Sequence, residues 1–103
     1  MIYIGNYKEF ETESKVSMKD FFEKEGYENQ EKIAEYLKSN GKNIMVSASY
    51  HKDVFTSQST GIEEICKEDG KYRWFNILAY YVEKYNLRLP EDFEIHILGK
   101  ITN

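Results

Sequence analysis

The sequence predicts a small α+β domain in which three to four helices pack on a short β-sheet. Residues 74–85 place apolar side chains on one arc at helical spacing, which is typical of a helix against a core. Residues 43–50 alternate in the manner of a strand. The chain has 103 residues, of which 41% are hydrophobic, and this suffices for one core. We therefore expect residues 1–103 to form a single domain around the 74–85 helix.

The 74–85 segment is the predicted central helix because it contains the only tryptophan and much of the aromatic mass. Its core-facing arc comprises Trp74, Phe75, Leu78, Tyr81, Val82 and Tyr85. The opposite side comprises Asn76, Tyr80, Glu83 and Lys84. Because Tyr80 lies among polar neighbours, it fits either an interface anchor or a residue covered by another element.

Two helices are predicted in the first half of the chain. Residues 2–4 fit an edge strand or a tether, and the charged residues that follow fit a loop or a solvated strand. Ser17 and Asp20 have capping-box spacing, which predicts a helix over residues 17–26. A second helix is predicted over residues 29–40, with an apolar stripe of Ile33, Tyr36 and Leu37.

The region between the predicted strand and the central helix allows two interpretations. After a polar loop, residues 62–69 fit a short helix, which we favour because Ile62, Ile65 and Cys66 would share one face. Alternatively, residues 62–66 pair with residues 71–74 in a hairpin across the Asp-Gly turn.

The last predicted helix begins at Pro90, a residue favoured at the first helical position. Phe93 and Ile97 would face inward, and Gly99 would end the helix. Residues 100–103 are then expected to form a tail.

Composition excludes several classes of function. The chain has 14 basic and 18 acidic residues, a net charge of −4, which disfavours nucleic acid as a partner and suits a basic protein. A single cysteine excludes an internal disulfide and cysteine-based zinc sites. No apolar run is long enough for a membrane span, and the amino terminus lacks the features of a signal peptide. A cytoplasmic location is therefore expected.

No convincing catalytic or metal-binding set is present. Ser49, His51 and Asp53 would share one face of an extended strand, but alternate residues lie about 6–7 Å apart, too far for a hydrogen-bonded triad. We expect His51 to be exposed at the strand end. His96 has no partner at metal-ligand spacing, and the apolar neighbours of Cys66 favour a buried thiol. We therefore predict a non-enzymatic protein without a metal or cofactor.

A ligand-binding or enzymatic domain that uses residues 51–61 is the alternative. A nucleotide or a phosphorylated metabolite would be the ligand, although the loop lacks the lysine and the glycine spacing of a P-loop. The candidate ligand contacts are His51, Asp53, Ser57 and Ser59.

Residues 69–96 contain an Asp-Gly turn, spaced aromatic residues, a Tyr-Tyr helix and a Leu-Pro helix start. This part resembles the carboxyl-terminal part of small uncharacterised bacterial proteins, some of which look like immunity partners of polymorphic toxins. The resemblance implies an α+β fold and no known chemistry.

Size, charge and this resemblance favour a binding protein of the immunity or inhibitor type. Its partner would be another protein, such as a basic toxin or nuclease, and a homodimer is left open. The predicted contact residues are Glu63, Glu64, Glu68, Asp69, Tyr72 and Tyr80.

Overall fold

The protein folds into a mixed four-stranded β-sheet with three α-helices, so the predicted α+β class is confirmed. The computed structural model describes residues 1–102, and Asn103, the end of the predicted tail, lies outside them. The strands are β1 (Ile2–Tyr3), β2 (Lys42–Lys52), β3 (Ser59–Glu68) and β4 (Tyr72–Phe75). The α-helices are α1 (Gln30–Ser39), α2 (Leu78–Tyr85) and α3 (Glu91–Ile101), and two short 3-10 helices span Lys8–Phe10 and Met18–Phe21.

The strand order β1-β4-β3-β2 makes β2 one edge of the sheet and the two-residue β1 the other. Strand β1 runs parallel to β4, and the other two pairings are antiparallel. The β2–β3 pairing contains irregularities between Asn43 and Lys52, whereas β4 pairs with only the last part of β3. The β2–β3 hairpin therefore extends beyond the part of the sheet that β4 supports.

The core lies between strand β4 and the three helices α1, α2 and α3. Trp74 is fully buried, and its indole N–H donates a hydrogen bond to the carbonyl oxygen of Leu37 at 3.0 Å. The rings of Tyr36 and Phe93 both have centroids 5.6 Å from that of Trp74. Because the indole contacts both α1 and α3, it joins the two layers of the domain.

The predicted central helix is correct only from Leu78 onward. Trp74 and Phe75 belong to strand β4, so their assignment to the helix is wrong. The Asn76 side chain extends the strand pairing, because its oxygen accepts the Ile65 amide hydrogen at 2.7 Å. A helical wheel cannot detect this change, since Trp74 and Leu78 reach the same core from different secondary structures.

The short helix predicted over residues 62–69 is wrong. The alternative hairpin across the Asp-Gly turn does form, but its pairs join residues 66–68 to residues 73–75. Residues 62–68 belong to β3, Asp69 lies in the turn, and Glu68 is opposite Arg73 across that turn. The Asp69 carboxylate accepts amide hydrogens from Lys71 and Tyr72, at 3.1 and 2.8 Å, which holds the turn. Pairing with strands on both sides outweighs the local helical spacing.

The outer helices follow the predictions more closely. Helix α1 and the start of α3 after Pro90 are confirmed, as is the inward position of Phe93 and Ile97. Gly99 does not end α3, which continues to Ile101. The helix predicted over residues 17–26 is wrong beyond a single 3-10 turn that ends at Phe21.

Candidate functional site

The distal end of the β2–β3 hairpin folds against α2 through a buried histidine. His51 Nδ1 lies 2.6 Å from Glu64 Oε2, and His51 Nε2 lies 2.7 Å from the Tyr81 hydroxyl. That hydroxyl also accepts the Val54 amide hydrogen at 3.1 Å, so its own hydrogen is available to Nε2. His51 Nδ1 therefore donates its hydrogen to the Glu64 carboxylate. Burial raises the pKa of Tyr81, which keeps its hydroxyl protonated.

His51 is only 5% exposed, so the prediction of an exposed strand-end histidine is wrong. The β2–β3 register is irregular between Tyr50 and Lys52, where the strand leaves regular pairing. At this point the His51 ring packs edge-on against Phe10 and Tyr81, with centroid separations of 6.0 and 5.7 Å. Bending of the hairpin therefore buries a side chain that an isolated strand would expose.

Asp53 organises the loop that follows β2. Its Oδ2 accepts hydrogen bonds from the Tyr80 and Tyr85 hydroxyls at 2.6 and 2.7 Å, and its Oδ1 accepts the Phe55 and Thr56 amides. Burial alone would raise the pKa of Asp53, but these donors more than offset it and lower the pKa to about 2. The carboxylate is therefore a structural anion that fastens the loop to α2.

This arrangement does not assemble a serine hydrolase. The imidazole contacts Glu64 and Tyr81 instead of Ser49, and Asp53 contacts tyrosines instead of His51. Tyr81 is fully buried and its hydroxyl is hydrogen-bonded to His51 and Val54, so a substrate has no access to it. The contacts therefore support the shape of the fold and offer no accessible nucleophile.

The predicted ligand residues do not converge on one cavity. His51 and Asp53 are both buried, but His51 contacts Glu64 and Tyr81 whereas Asp53 contacts Tyr80 and Tyr85. Ser57 is exposed in the loop between β2 and β3, and Ser59 is exposed at the start of β3. The Ser59 hydroxyl oxygen accepts the Gly61 amide hydrogen at 3.3 Å. Of the four predicted ligand residues, only His51 borders the cleft described next.

A cleft of about 350 Å³ opens between the amino-terminal segment, β3 and the start of α2. Its polar side chains include the carboxylates of Glu9, Glu11 and Glu64. The Glu9 carboxylate accepts hydrogen bonds from the Ser17 hydroxyl and the Met18 amide, at 2.6 and 2.8 Å. Burial opposes ionisation of Glu9, but these donors lower its pKa below the usual value, so it is anionic. The apolar wall is formed by Ile4, Phe10, Val54, Phe75, Ile77 and Leu78.

Strand β2 exposes large apolar side chains along an unpaired edge of the sheet. Ile44, Met45, Val46 and Tyr50 are 38%, 60%, 54% and 61% exposed, respectively. Met45 is opposite Cys66 and Val46 is opposite Ile65, so consecutive side chains point to opposite faces of the sheet. Both faces of the edge are therefore apolar and open.

The six predicted partner contacts divide into surface and interior residues. Glu63 is exposed, and Glu64 and Glu68 are partly exposed on β3, next to the edge strand. The other three are held within the fold: Tyr72 is buried, Asp69 binds Tyr36 and His96, and Tyr80 binds Asp53. Their hydrogen bonds and burial leave little of these three side chains for a partner.

Within residues 1–102, no group of three or more His, Cys, Asp and Glu side chains is arranged to hold a metal ion. Cys66 is a buried thiol, as predicted, and burial raises its pKa. None of the helices in the described part of the chain has the length and apolar character needed to cross a membrane.

A comparison of this chain with known protein families, with curated proteins and with solved structures found no match. The resemblance of residues 69–96 to immunity-like proteins therefore stays a prediction.

Of the residues that line the cleft, His51 and Glu64 are candidates from the sequence, but Glu9 and Phe10 are not, and neither are Ile44, Met45 and Val46 of the exposed edge. Glu9 and Phe10 lie in a charged segment that fits a loop or a solvated strand, and its alternating glutamates do not indicate a cleft. For Val46 the signal was present, because apolar residues occur at both even and odd positions of the strand. Only the strand order shows that these positions are at an edge.

Proposed function

We propose that this protein is a non-enzymatic binding protein that recognises another protein through the edge of strand β2. The observation that supports this proposal is the exposure of Ile44, Met45, Val46 and Tyr50 along an eleven-residue edge strand. A partner strand added to this edge would satisfy its open backbone groups and cover the apolar side chains.

An edge of this kind is unusual without a partner. Exposed N–H and C=O groups on a long edge strand are a template for pairing, and proteins normally interrupt such edges with charges, proline or bulges. Here the two lysines of β2 lie at its ends and the middle is uncharged, but the register with β3 shifts between Asn43 and Met45 and again between Val46 and Tyr50. Met45 and Val46, which lie between these shifts and keep consecutive pairing with β3, therefore form the part of the edge suited to strand addition.

The buried histidine network supports the non-enzymatic part of the proposal. Both ring nitrogens of His51 have partners within the fold, and the Tyr81 hydroxyl is enclosed. General acid–base chemistry requires a group within hydrogen-bonding reach of a substrate. These side chains instead fasten the hairpin to α2, which would hold the binding edge in place.

The charge of the chain suggests the chemistry of the partner. A net charge of −4 and the carboxylates of Glu63, Glu64 and Glu68 beside the edge favour a basic protein such as a toxin or nuclease. Covering such a partner would make this protein an inhibitor of the immunity type. The alternative nucleotide ligand fits poorly, because the cleft beside His51 is lined by three carboxylates that would repel phosphate.

Co-expression of the tagged full chain with its genomic neighbours tests the proposal. We expect the wild-type protein to retain a neighbouring gene product and to suppress any toxicity of that product. Val46→Lys should abolish both effects, because a lysine in the middle of the edge opposes strand addition. Ile95→Lys is the matched control, since Ile95 is 61% exposed on α3, away from the sheet edge.

The proposal fails if no neighbouring product is retained and no toxicity is suppressed. It fails equally if Val46→Lys and Ile95→Lys reduce retention to the same extent, because the strand edge would then have no specific role.

A further inference from the structure

We propose that the cleft beside His51 is a binding site for an alkylguanidinium or alkylammonium group. This inference goes beyond strand-mediated recognition, because the cleft is formed mainly by the amino-terminal segment, β3 and the start of α2. It concerns a cationic group with a short apolar stem, whether free or at the end of an arginine or lysine side chain.

The size and the walls of the cleft suit such a group. Its volume of about 350 Å³ lies within the usual range for ligand sites. Ile4, Leu78 and Ile77 provide aliphatic surface for the stem, and Phe10 and Phe75 provide aromatic surface. Aromatic faces attract guanidinium and ammonium groups, so these walls favour a cation over a neutral polar group.

The charge of the lining selects the sign of the ligand. Glu9, Glu11 and Glu64 border the cleft, and the one basic side chain among the described lining residues is His51, which is hydrogen-bonded to Glu64. Apolar walls strengthen the field of these carboxylates, because water cannot screen it from that side. An anion would meet repulsion in the same place.

Two of the carboxylates are held in fixed positions by other residues. Glu9 is fastened by Ser17 and Met18, and Glu64 Oε2 is fastened by the His51 ring. The Glu64 side chain remains 35% exposed, and Glu64 borders the cleft. Glu64 would therefore be a positioned acceptor for the cation, which lowers the ordering cost of binding, whereas Glu9, both of whose oxygens are engaged by Ser17 and Met18, would act through its charge.

Titration of the isotope-labelled full chain with butylguanidinium tests the inference, with butylurea as a neutral compound of almost the same shape. We expect butylguanidinium to shift the NMR signals of Tyr3, Phe10 and Leu78, which line the cleft. Butylurea should cause much smaller shifts. N-acetylarginine methylamide, titrated in parallel, shows whether an arginine within a peptide chain enters the same cleft.

Substitution of one carboxylate provides the second arm. Glu64→Gln keeps an oxygen that can accept the His51 Nδ1 hydrogen but removes the charge, so the fold is retained. We expect it to weaken butylguanidinium binding by about threefold to tenfold. Glu31→Gln, the same change on the exposed surface of α1, should leave the affinity unchanged.

The inference is overturned if butylurea and butylguanidinium bind alike, if the shifts lie outside the cleft, or if Glu64→Gln and Glu31→Gln behave identically. Its failure is distinguishable from failure of the proposed function. Val46→Lys should bind butylguanidinium as the wild type does, because Val46 does not line the cleft.

Discussion

The part of the sheet around β4, here called the β4 side, and the edge formed by β2, here called the β2 side, differ in what covers them. On the β4 side, Trp74 and Tyr72 are buried under α1 and α3, and β4 itself lies between two strands. On the β2 side, Met45, Val46 and Tyr50 are largely exposed, and one strand edge has no neighbour. Because burial stabilises the fold and exposure leaves surface for a partner, we expect stability to depend on the first side and recognition on the second.

The largest expected effect is the loss of the indole. Trp74→Ala removes a fully buried side chain that contacts α1 and α3, and should lower the free energy of unfolding by about 3–5 kcal/mol. Met45→Ala on the edge should change it by less than about 0.5 kcal/mol. Urea unfolding measures both values. Similar losses in the two variants would contradict the division between a stabilising side and a recognition side.

Acid should destabilise the fold through two buried carboxylates, Asp53 in the loop after β2 and Asp69 in the turn between β3 and β4. The hydrogen bonds of Asp53 and Asp69 more than offset the effect of burial and lower the pKa of each from 3.8 to about 2. An unfolded carboxylate takes up its proton at higher pH, so the stabilisation is present above about pH 4 and is lost as the pH falls toward 2. Each should contribute about 2 kcal/mol.

Urea unfolding at several pH values between 2 and 7 measures this dependence. Asp53→Asn and Asp69→Asn each lack one titrating group, so each should show a shallower fall below pH 4. An unchanged slope in either variant would show that the aspartate in question does not supply the pH dependence.

A smaller effect is expected from the hydroxyl that joins the hairpin to α2. Tyr81→Phe leaves His51 Nε2 and the Val54 amide without their partner, which should cost about 1–3 kcal/mol. Tyr50→Phe, the same change on the exposed edge, should have an effect within about 0.5 kcal/mol. Equal stability of the two variants in thermal or urea unfolding would mean that the buried network contributes nothing to the attachment of the hairpin.

The smallest expected effect is a difference in local opening of the folded state between β4 and β2, measured as the rate of amide hydrogen exchange. Amides of β4 are enclosed between β1 and β3 and should exchange with solvent slowly, whereas amides on the open edge of β2 should exchange quickly. Hydrogen exchange followed by NMR measures both. Strong protection along the whole of β2 would indicate that its edge is already paired, as in a homodimer.

Local patterns predicted the elements whose signals agree with their surroundings. Helix α1 has its apolar stripe buried, and α3 begins after Pro90, because amphipathic spacing and helix-start chemistry are local properties. The thiol of Cys66 is buried as predicted, although it lies on a strand and not on a helix. Burial was predictable here even where the secondary structure was not.

The candidate sites were less predictable because they depend on distant parts of the chain. His51 is buried only because α2 supplies Tyr81, thirty residues away, as a partner. The cleft requires Glu9 from the amino-terminal segment and Glu64 from β3 to meet at one opening. Neither contact leaves a periodic trace in the sequence.

The sequence by itself determined the α+β class, the α1 helix, the β2 strand and the position at which α3 begins. These features follow from spacing and capping within a few residues. The tertiary structure alone decided that residues 62–68 form a strand, that the helical pattern begins at Leu78, and that Val46 lies on an open edge. The reason is that strand pairing and coverage are set by which segments become neighbours in the sheet, and an apolar residue looks the same in sequence whether or not another strand lies beside it.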